Sequence, residues 1–226
     1  SPSRIRRSPV DRGDRPLLRG TLHARAAWVF AGSGTSLAVV SAVRHGVGAA
    51  TWLTALYVLC LVGAMAVSAL GHRGRWRSMA AVRAWRRAVH AMIALFIAGT
   101  YGPVSVVALG SRDAALILAL CWGGALLAVA MNMFCINHPM WRALAVYLFL
   151  GWLVIWKAPE LWAGAGAGVT ILLAVGGVIY SLGAVVYGLK WPNPSARWFG
   201  FHEVFHAATL VAAIVHHVAI WMAVGL

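Results

Sequence analysis

Three histidines lie at the ends of hydrophobic runs, where an ionisable group is costly and therefore indicates function. His72 closes one such run, and His202 and His206 open the last one. Residues four apart share one face of a helix, so His202 and His206 could offer two imidazoles to one metal ion. The third ligand must come from another helix, and His72 is the best-placed candidate.

Three neutral imidazoles with one open position form the arrangement of a catalytic zinc site. Zinc lowers the pKa of a bound water to about 7 and so supplies hydroxide near neutral pH. Ser68 lies one helical turn before His72, on the same face. Its hydroxyl could hydrogen-bond that water or a substrate carbonyl; alternatively, it bonds back to a carbonyl of its own helix.

The last hydrophobic run opens with the pattern H-E-x-x-H, which zinc metalloproteases share. A protease of that fold is not expected, because this pattern begins a membrane span and its third ligand is upstream. Glu203 is nevertheless the only acid expected near the metal. It could act as a base, orient a ligand, or simply face the cytoplasm at a helix N-terminus, where negative charge is favourable.

The other histidines carry weaker signals. His90 begins the third apolar run, on the side of the membrane where His72, His202 and His206 are expected. It could be a fourth ligand, a hydrogen-bond donor to a ligand, or an interfacial histidine. His216 and His217 lie deeper in the last run, and we expect them to be packed or hydrogen-bonded. No partner is predicted for three histidines of terminal or loop segments, His23, His45 and His138.

The composition predicts an integral membrane protein. Of 226 residues 62% are hydrophobic, the mean hydropathy is +0.80, and there are twelve Trp but only five acids. The net charge of +14 could suggest nucleic acid. The basic residues cluster between apolar runs, however, so we expect them to face anionic lipid headgroups, with no nucleic-acid partner. Cys60, Cys121 and Cys135 lie in or beside apolar runs and are expected to be buried thiols.

Runs of about 18 apolar residues predict an all-α, seven-transmembrane helical bundle. The weakest is the fifth, which contains Arg142, although an arginine near a helix end can snorkel to the interface. Residues 1–25 are polar and Arg-rich, and we expect a basic cytoplasmic tail without a cleavable signal peptide, followed by a transmembrane domain over 26–226. The predicted spans are about 26–43, 47–70, 89–110, 114–134, 139–156, 162–187 and 200–224.

The distribution of basic residues predicts the orientation. With a cytoplasmic N-terminus, 16 Lys and Arg lie on the inside and three on the outside. We therefore expect a multi-pass protein of the inner cell membrane with its C-terminus extracytoplasmic. Seven spans then place His72, His202 and His206 at one depth, near the inner leaflet.

These residues, in this order, resemble the hemolysin III and adiponectin-receptor family, also called the progestin and adipoQ receptor family, in its bacterial branch. The resemblance covers nearly the whole chain. Its motifs lie at residues 18–20 (LRG), 68–76 (SALGHRGRW), 86–87 (RR), 97–103 (IAGTYGP), 122–125 (WGGA), 183–187 (GAVVY) and 199–206 (FGFHEVFH). It implies a seven-helix bundle, a cytoplasmic N-terminus and zinc bound by His72, His202 and His206. For some members it also implies hydrolysis of a lipid amide such as a ceramide.

The chain departs from that family pattern at the position of an acid. The pattern has an aspartate two residues after the Arg-Arg pair, thought to hold the zinc-bound water; here that position is Val89. The serine that follows in the pattern is Ala91, and a tyrosine usual before the first zinc histidine is Gly71. No acid between Asp14 and Asp113 could replace the aspartate. The implied metal ligands are thus present without their proton-handling partner.

Three functions follow from this combination. The first is a zinc-bound pseudo-enzyme that acts as a sensor or in membrane homeostasis. The second is a zinc-dependent, ceramidase-like lipid amide hydrolase that uses Glu203 or His90 in place of the aspartate. The third is a cytolytic or transport protein. In each, membrane lipids are the expected partners, and in the second a lipid is the substrate.

Overall fold

A computed structural model describes residues 15–134 and 140–225 of the chain. Within these ranges the fold is all-α, as predicted, and the strand content is limited to an isolated bridge between Ser195 and Phe199. Cys135 and His138 lie outside the described residues. The helices are α1 (Thr21–His45), α2 (Ala49–Arg73), α3 (Met79–Ala108), α4 (Ser111–Phe134), α5 (Met140–Trp152), α6 (Ala158–Leu189) and α7 (Phe201–Gly225), with a 3₁₀ helix (Leu153–Lys157) between α5 and α6.

Two helices begin earlier than the hydropathy pattern predicts. Helix α1 begins at Thr21 rather than near residue 26, and α3 begins at Met79 rather than near residue 89. The start of α3 is fixed by Ser78, whose hydroxyl accepts a hydrogen bond from the Ala81 N–H at 3.2 Å, as an N-cap does. Both extensions contain arginine, which interrupts the apolar run, so a search for apolar runs does not include them.

The described residues contain six helical segments long and apolar enough to cross a membrane, rather than the seven predicted. The difference arises because α5, the 3₁₀ helix and α6 follow one another without an intervening loop, as one segment from Trp141 to Leu189. Helix α6 nevertheless folds back along α5. The Trp152 indole N–H donates to Ser181 Oγ at 3.0 Å, and Leu144 lies against Gly188 near the opposite ends of the two helices.

Hydrogen bonds between polar side chains fix α7 in the bundle. His217 Nδ1 lies 2.9 Å from the Tyr57 hydroxyl on α2, and His217 Nε2 lies 2.8 Å from Ser33 Oγ on α1. On the preceding residue, His216, Nε2 lies 3.0 Å from the Leu173 carbonyl oxygen on α6. The prediction that these two histidines are packed or hydrogen-bonded is therefore confirmed.

The described cysteines also agree with the sequence. Cys60 on α2 and Cys121 on α4 are buried free thiols, as expected. His45, by contrast, was wrongly expected to lack a partner. It lies in the last turn of α1, and its Nε2 is 2.9 Å from the Val224 carbonyl oxygen of α7.

Helices α3 and α6 approach closely at a glycine. A Cβ atom added to Gly164 would lie 1.9 Å from the Ala108 carbonyl oxygen, the last residue of α3. Backbone cannot yield at such a contact as the end of a flexible side chain can, so the position requires glycine.

We predict that Gly164→Ala lowers the free energy of unfolding by about 1–3 kcal/mol, because the new methyl group forces the two helices apart. Thermal unfolding of the detergent-solubilised protein measures the effect. Gly123→Ala is the matched control, because no atom lies within 4 Å of a Cβ added to Gly123 on α4. Gly123→Ala should be neutral or should stabilise the protein by up to about 1 kcal/mol, because Ala has a higher helix propensity than Gly. Equal melting temperatures of the two variants would contradict the close approach.

Candidate metal centre

The three histidines singled out by the sequence come together at one end of the bundle. The last turn of α2 carries His72, and the first two turns of α7 carry His202 and His206. One ring nitrogen from each lies within 4.8 Å of the others, and the group could hold a metal ion. His72 Nε2 and His202 Nε2 are 3.3 Å apart, and the ring centroids are separated by 4.6–4.9 Å.

Two glycines allow neighbouring segments to pack against His72. Gly20 has a φ of +75°, and a Cβ there would lie 2.9 Å from the His72 Cβ. The segment that precedes α1 can therefore pass close to the triad only with glycine at this position. Gly71, next to His72, faces α3, and its Cβ would lie 3.2 Å from Val89 Cγ2.

The triad borders a long cavity of about 360 Å³. Residues of α1, α2, α3, α5, α6 and α7 line it, and it extends along α3 from Val82 to Tyr101. Nineteen residue steps of 1.5 Å make that stretch about 28 Å long. Most of the lining is apolar, and none of the described residues that form it is Asp or Glu. The geometry thus combines a cluster of imidazoles with an elongated space free of carboxylates.

Sequence analysis missed one residue of this cluster, His23. The expectation that His23 lies in a terminal segment without a partner is wrong, because α1 begins at Thr21. The His23 ring is buried and stacks on His206, with centroids 4.0 Å apart and planes 10° from parallel. A signal was available: His23, Ala26 and Phe30 follow one another at helical spacing on the buried face of α1.

Ser68 reaches the triad through His23. Its Oγ lies 2.8 Å from His23 Nδ1, and both side chains line the cavity. This contact joins α2 to α1 and places a hydroxyl next to the ring that stacks on His206. Of the partners considered for Ser68 from sequence, a carbonyl of its own helix is not the one observed.

Glu203 is turned toward the segment before α1. Its side chain is 1% exposed, pairs with the Arg19 guanidinium through Oε1, and accepts the Gly200 N–H through Oε2 at 2.8 Å. This second bond satisfies a free amide at the N-terminus of α7, where a carboxylate is also favoured by the helix dipole. Glu203 does not line the cavity, whereas Arg19 does.

The segment from Arg15 to Gly20 lies across the triad end of the bundle. The backbone amides of Leu17 and Leu18 donate to the carbonyl oxygens of Arg197 and Trp198, at 3.0 and 3.4 Å. Part of the predicted basic tail thus packs on the loop between α6 and α7. Residues 1–14 of that tail lie outside the described residues.

His90 lines the same cavity on α3 but is not a member of the triad. Its carbonyl oxygen accepts a hydrogen bond from the Tyr147 hydroxyl of α5 at 3.0 Å. Helices α3 and α5 are thereby joined on the side of the cavity away from α1.

We predict that Arg19→Met destabilises the protein more than Glu203→Gln does. Removing the guanidinium leaves a buried carboxylate uncompensated, at a cost of about 3 kcal/mol in the free energy of unfolding. A glutamine at position 203 carries no charge and still offers an oxygen to the Gly200 N–H, so its cost is about 1 kcal/mol. Chemical unfolding in detergent measures both.

The double variant Arg19→Met with Glu203→Gln is the control for that pair. It should recover part of the stability lost in Arg19→Met, because no uncompensated charge remains. If the two single effects simply add, the ion pair does not carry the stability assigned to it.

Comparison with known proteins identifies the family. The family model described as "Haemolysin-III related" matches residues 13–217. The chain is 33% identical over 114 residues to "Hemolysin-3 homolog" of Bacillus subtilis (strain 168), covering 50% of this chain and 53% of that protein. It is 32% identical over 114 residues to "Hemolysin-3" of Bacillus cereus, covering 50% of this chain and 52% of that protein.

These alignments span about half the length of the curated relatives, whereas the family model covers most of the chain. The apolar helices agree with that family's membrane location. The resemblance seen in the sequence motifs is thus confirmed, and the chain belongs to the haemolysin-III related family of multi-pass membrane proteins.

Proposed function

We propose that this protein is a seven-helix, zinc-binding protein of the inner cell membrane that binds a membrane lipid beside the metal, as a sensor or in membrane homeostasis. The observation that carries the proposal is the position of three imidazoles at one end of a long, mostly apolar cavity in which none of the described lining residues is Asp or Glu. Imidazoles supply a metal site, and the cavity supplies a place for an acyl chain.

The donor set supports zinc. Two nitrogens bound to zinc at about 2.0–2.1 Å with tetrahedral geometry are about 3.3–3.4 Å apart. His72 Nε2 and His202 Nε2 are 3.3 Å apart, and a ring nitrogen of His206 is within 4.8 Å of both. Three imidazoles without thiolate or carboxylate leave a fourth position open. A bound zinc would act there as a Lewis acid toward a lipid carbonyl oxygen.

Three features support seven crossings with a cytoplasmic N-terminus. Helix α6 folds back along α5, so the segment from Trp141 to Leu189 supplies two crossings. The basic residues divide 16 to three between the two sides. Six of the seven exposed tryptophans lie near helix ends, as is typical of membrane interfaces: Trp141, Trp191 and Trp198 on the proposed inner side, and Trp52, Trp156 and Trp162 on the outer side. The seventh, Trp28, lies within α1.

The shape of the cavity supports a lipid. Its volume of about 360 Å³ falls within the usual range for small-molecule sites. One leaflet of a bilayer contributes about half of the roughly 30 Å hydrocarbon thickness, and the stretch along α3 is longer than that. An acyl chain can therefore lie in the cavity with its polar end at the triad.

Among the described residues no acid lines the cavity at the triad, which favours a binding role over hydrolysis. Val89 occupies the position of the family aspartate and packs against Gly71, beside His72. The nearby acid, Glu203, is paired with Arg19 and the Gly200 amide. Loss of a general base typically slows a reaction by about 10²–10⁴-fold.

A zinc-dependent lipid amide hydrolase is the second candidate, and one contact favours it. Ser68 and His23 form a hydrogen-bonded pair beside the triad, where Ser68 Oγ could donate to a lipid carbonyl. His90, which lines the same cavity, could bind the leaving part of the same lipid. In this candidate the catalytic groups are Ser68 and His90, and Glu203 positions the start of α7.

We predict that the purified protein contains one zinc per chain and that His72→Ala, His202→Ala and His206→Ala each lose it, since two imidazoles alone bind zinc weakly. Elemental analysis after dialysis measures the zinc content. His90→Ala is the matched control, because His90 lines the same cavity outside the triad. Full zinc content in any of the three triad variants would contradict the proposed site.

Hydrolysis and binding are separated by restoring the acid. We predict that the wild-type protein releases little fatty acid from ceramides and other N-acyl lipids, and that Val89→Asp raises the rate by roughly 10²-fold or more. Val89→Asn, of similar shape but without the charge, is the control. Rapid release by the wild type that disappears in His202→Ala would instead establish the hydrolase.

A further inference from the structure

We infer that Tyr180 of α6 and Thr209 of α7 form a second binding position in the cavity, which takes an oxygen atom on the chain of the bound lipid. The inference deepens the proposed function and rests on it, because it assumes that a lipid enters the cavity from the triad. It adds a preference for an oxygenated chain over a plain hydrocarbon chain.

Both hydroxyls are buried without a hydrogen-bond partner among the residues that the structure describes. Both residues line the cavity. A hydroxyl group that is buried in apolar surroundings without a partner costs about 1–3 kcal/mol by mutational data. Two such groups on facing helices indicate that a ligand supplies their hydrogen-bond partner.

Other threonines of the bundle show that a hydroxyl without a hydrogen-bond partner is unusual here. Thr100 also lines the cavity, but its hydroxyl donates to the Phe96 carbonyl one turn back, at 2.8 Å. Thr54 and Thr170 make the same bond to the carbonyls four residues before them. Thr209 has the same option in a helix and does not use it.

The tyrosines show the same contrast. The Tyr101 hydroxyl, which also borders the cavity, donates to the Leu150 and Gly151 carbonyl oxygens at 2.6 and 3.0 Å. The Tyr180 ring instead packs between Phe96 and His216, with centroids 6.4 and 5.6 Å away, and its hydroxyl finds no such carbonyl among the described residues.

The two hydroxyl groups belong to residues at similar depth beyond the triad. Thr209 is three residues past His206, or about 4.5 Å along α7. Gly183 faces Ala208 and Gly176 faces His216, which sets the antiparallel register of α6 and α7. In that register Tyr180 is level with residues 211–212, about 8 Å past His206.

The chemistry of the pair selects the ligand. Each hydroxyl can donate a hydrogen bond, and a hydroxyl or carbonyl oxygen can accept two. A lipid with such an oxygen one or two helical turns beyond its metal-bound end satisfies both groups. A saturated hydrocarbon chain offers no acceptor, so both hydroxyls stay without a partner and the free-energy cost of burying them remains.

The test uses the zinc-loaded full chain in nanodiscs and a positional series of monohydroxystearic acids, compared with stearic acid. Displacement of radiolabelled stearic acid gives the dissociation constants. We expect one position of the hydroxyl to bind about five- to tenfold more tightly than stearic acid. Thr209→Val and Tyr180→Phe should each abolish that gain, so that each variant binds the hydroxylated acid and stearic acid with equal affinity.

Two matched variants separate this from a general effect on the cavity. Thr100→Val and Tyr101→Phe remove the same groups from residues that line the same cavity but whose hydroxyls are bonded within the protein, and both should retain the gain if they fold. Zinc content, measured on every variant, shows that the triad is intact.

Three outcomes would overturn the inference. A hydroxyl that gives no gain at any position would do so, as would a gain that survives in both Thr209→Val and Tyr180→Phe; either would leave ordered water as the partner of the two groups. A gain lost equally in Thr100→Val would also overturn it. If zinc is bound and neither stearic acid nor its hydroxylated forms bind, the proposed lipid-binding function itself fails.

Discussion

The bundle depends on one constraint: polar side chains in an apolar interior must find their hydrogen-bond partners within the protein, because lipid supplies none. Helix α7 meets this constraint at two levels. At its start, His202 and His206 meet His72 of α2. About three turns further on, His217 bonds to α1 and α2. These contacts set the rotation and depth of α7, and therefore determine where the imidazoles of the triad lie.

The same constraint explains the charge of the site. The acid closest in sequence to the triad is held by Arg19, so the carboxylate that could have approached a metal instead fastens the segment before α1. The position of the family aspartate is apolar, and no described residue of the cavity lining is acidic. A divalent cation bound there keeps its positive charge, which favours an oxygen-bearing or anionic ligand at its open position.

Much of this could be predicted from the sequence. The triad was predicted from two features. His202 and His206 are four residues apart, and the four predicted spans between His72 and His202 return the chain to the same side of the membrane. The all-helical fold followed from composition. His23 was missed because a search for apolar runs does not include the first turn of α1. The helical spacing of His23, Ala26 and Phe30 did indicate a buried helix face there. The partner of Glu203 could not be predicted, because it lies 184 positions away in the chain.

The break between α5 and α6 could also be predicted, because Lys157 and Glu160 separate the apolar runs over 139–156 and 162–187. The contact of Trp152 with Ser181 places the two helices side by side. Local geometry sets a different limit, because residue type does not determine whether a hydroxyl such as that of Thr209 is bonded within its helix.

The proposed zinc ion is held by imidazoles of α2 and α7. X-ray absorption at the zinc edge of the purified protein measures its ligands. We expect a four-coordinate ion with three imidazole nitrogens at about 2.0–2.1 Å and one oxygen ligand. A sulfur ligand at about 2.3 Å, or a shell with fewer than three imidazoles, would contradict it.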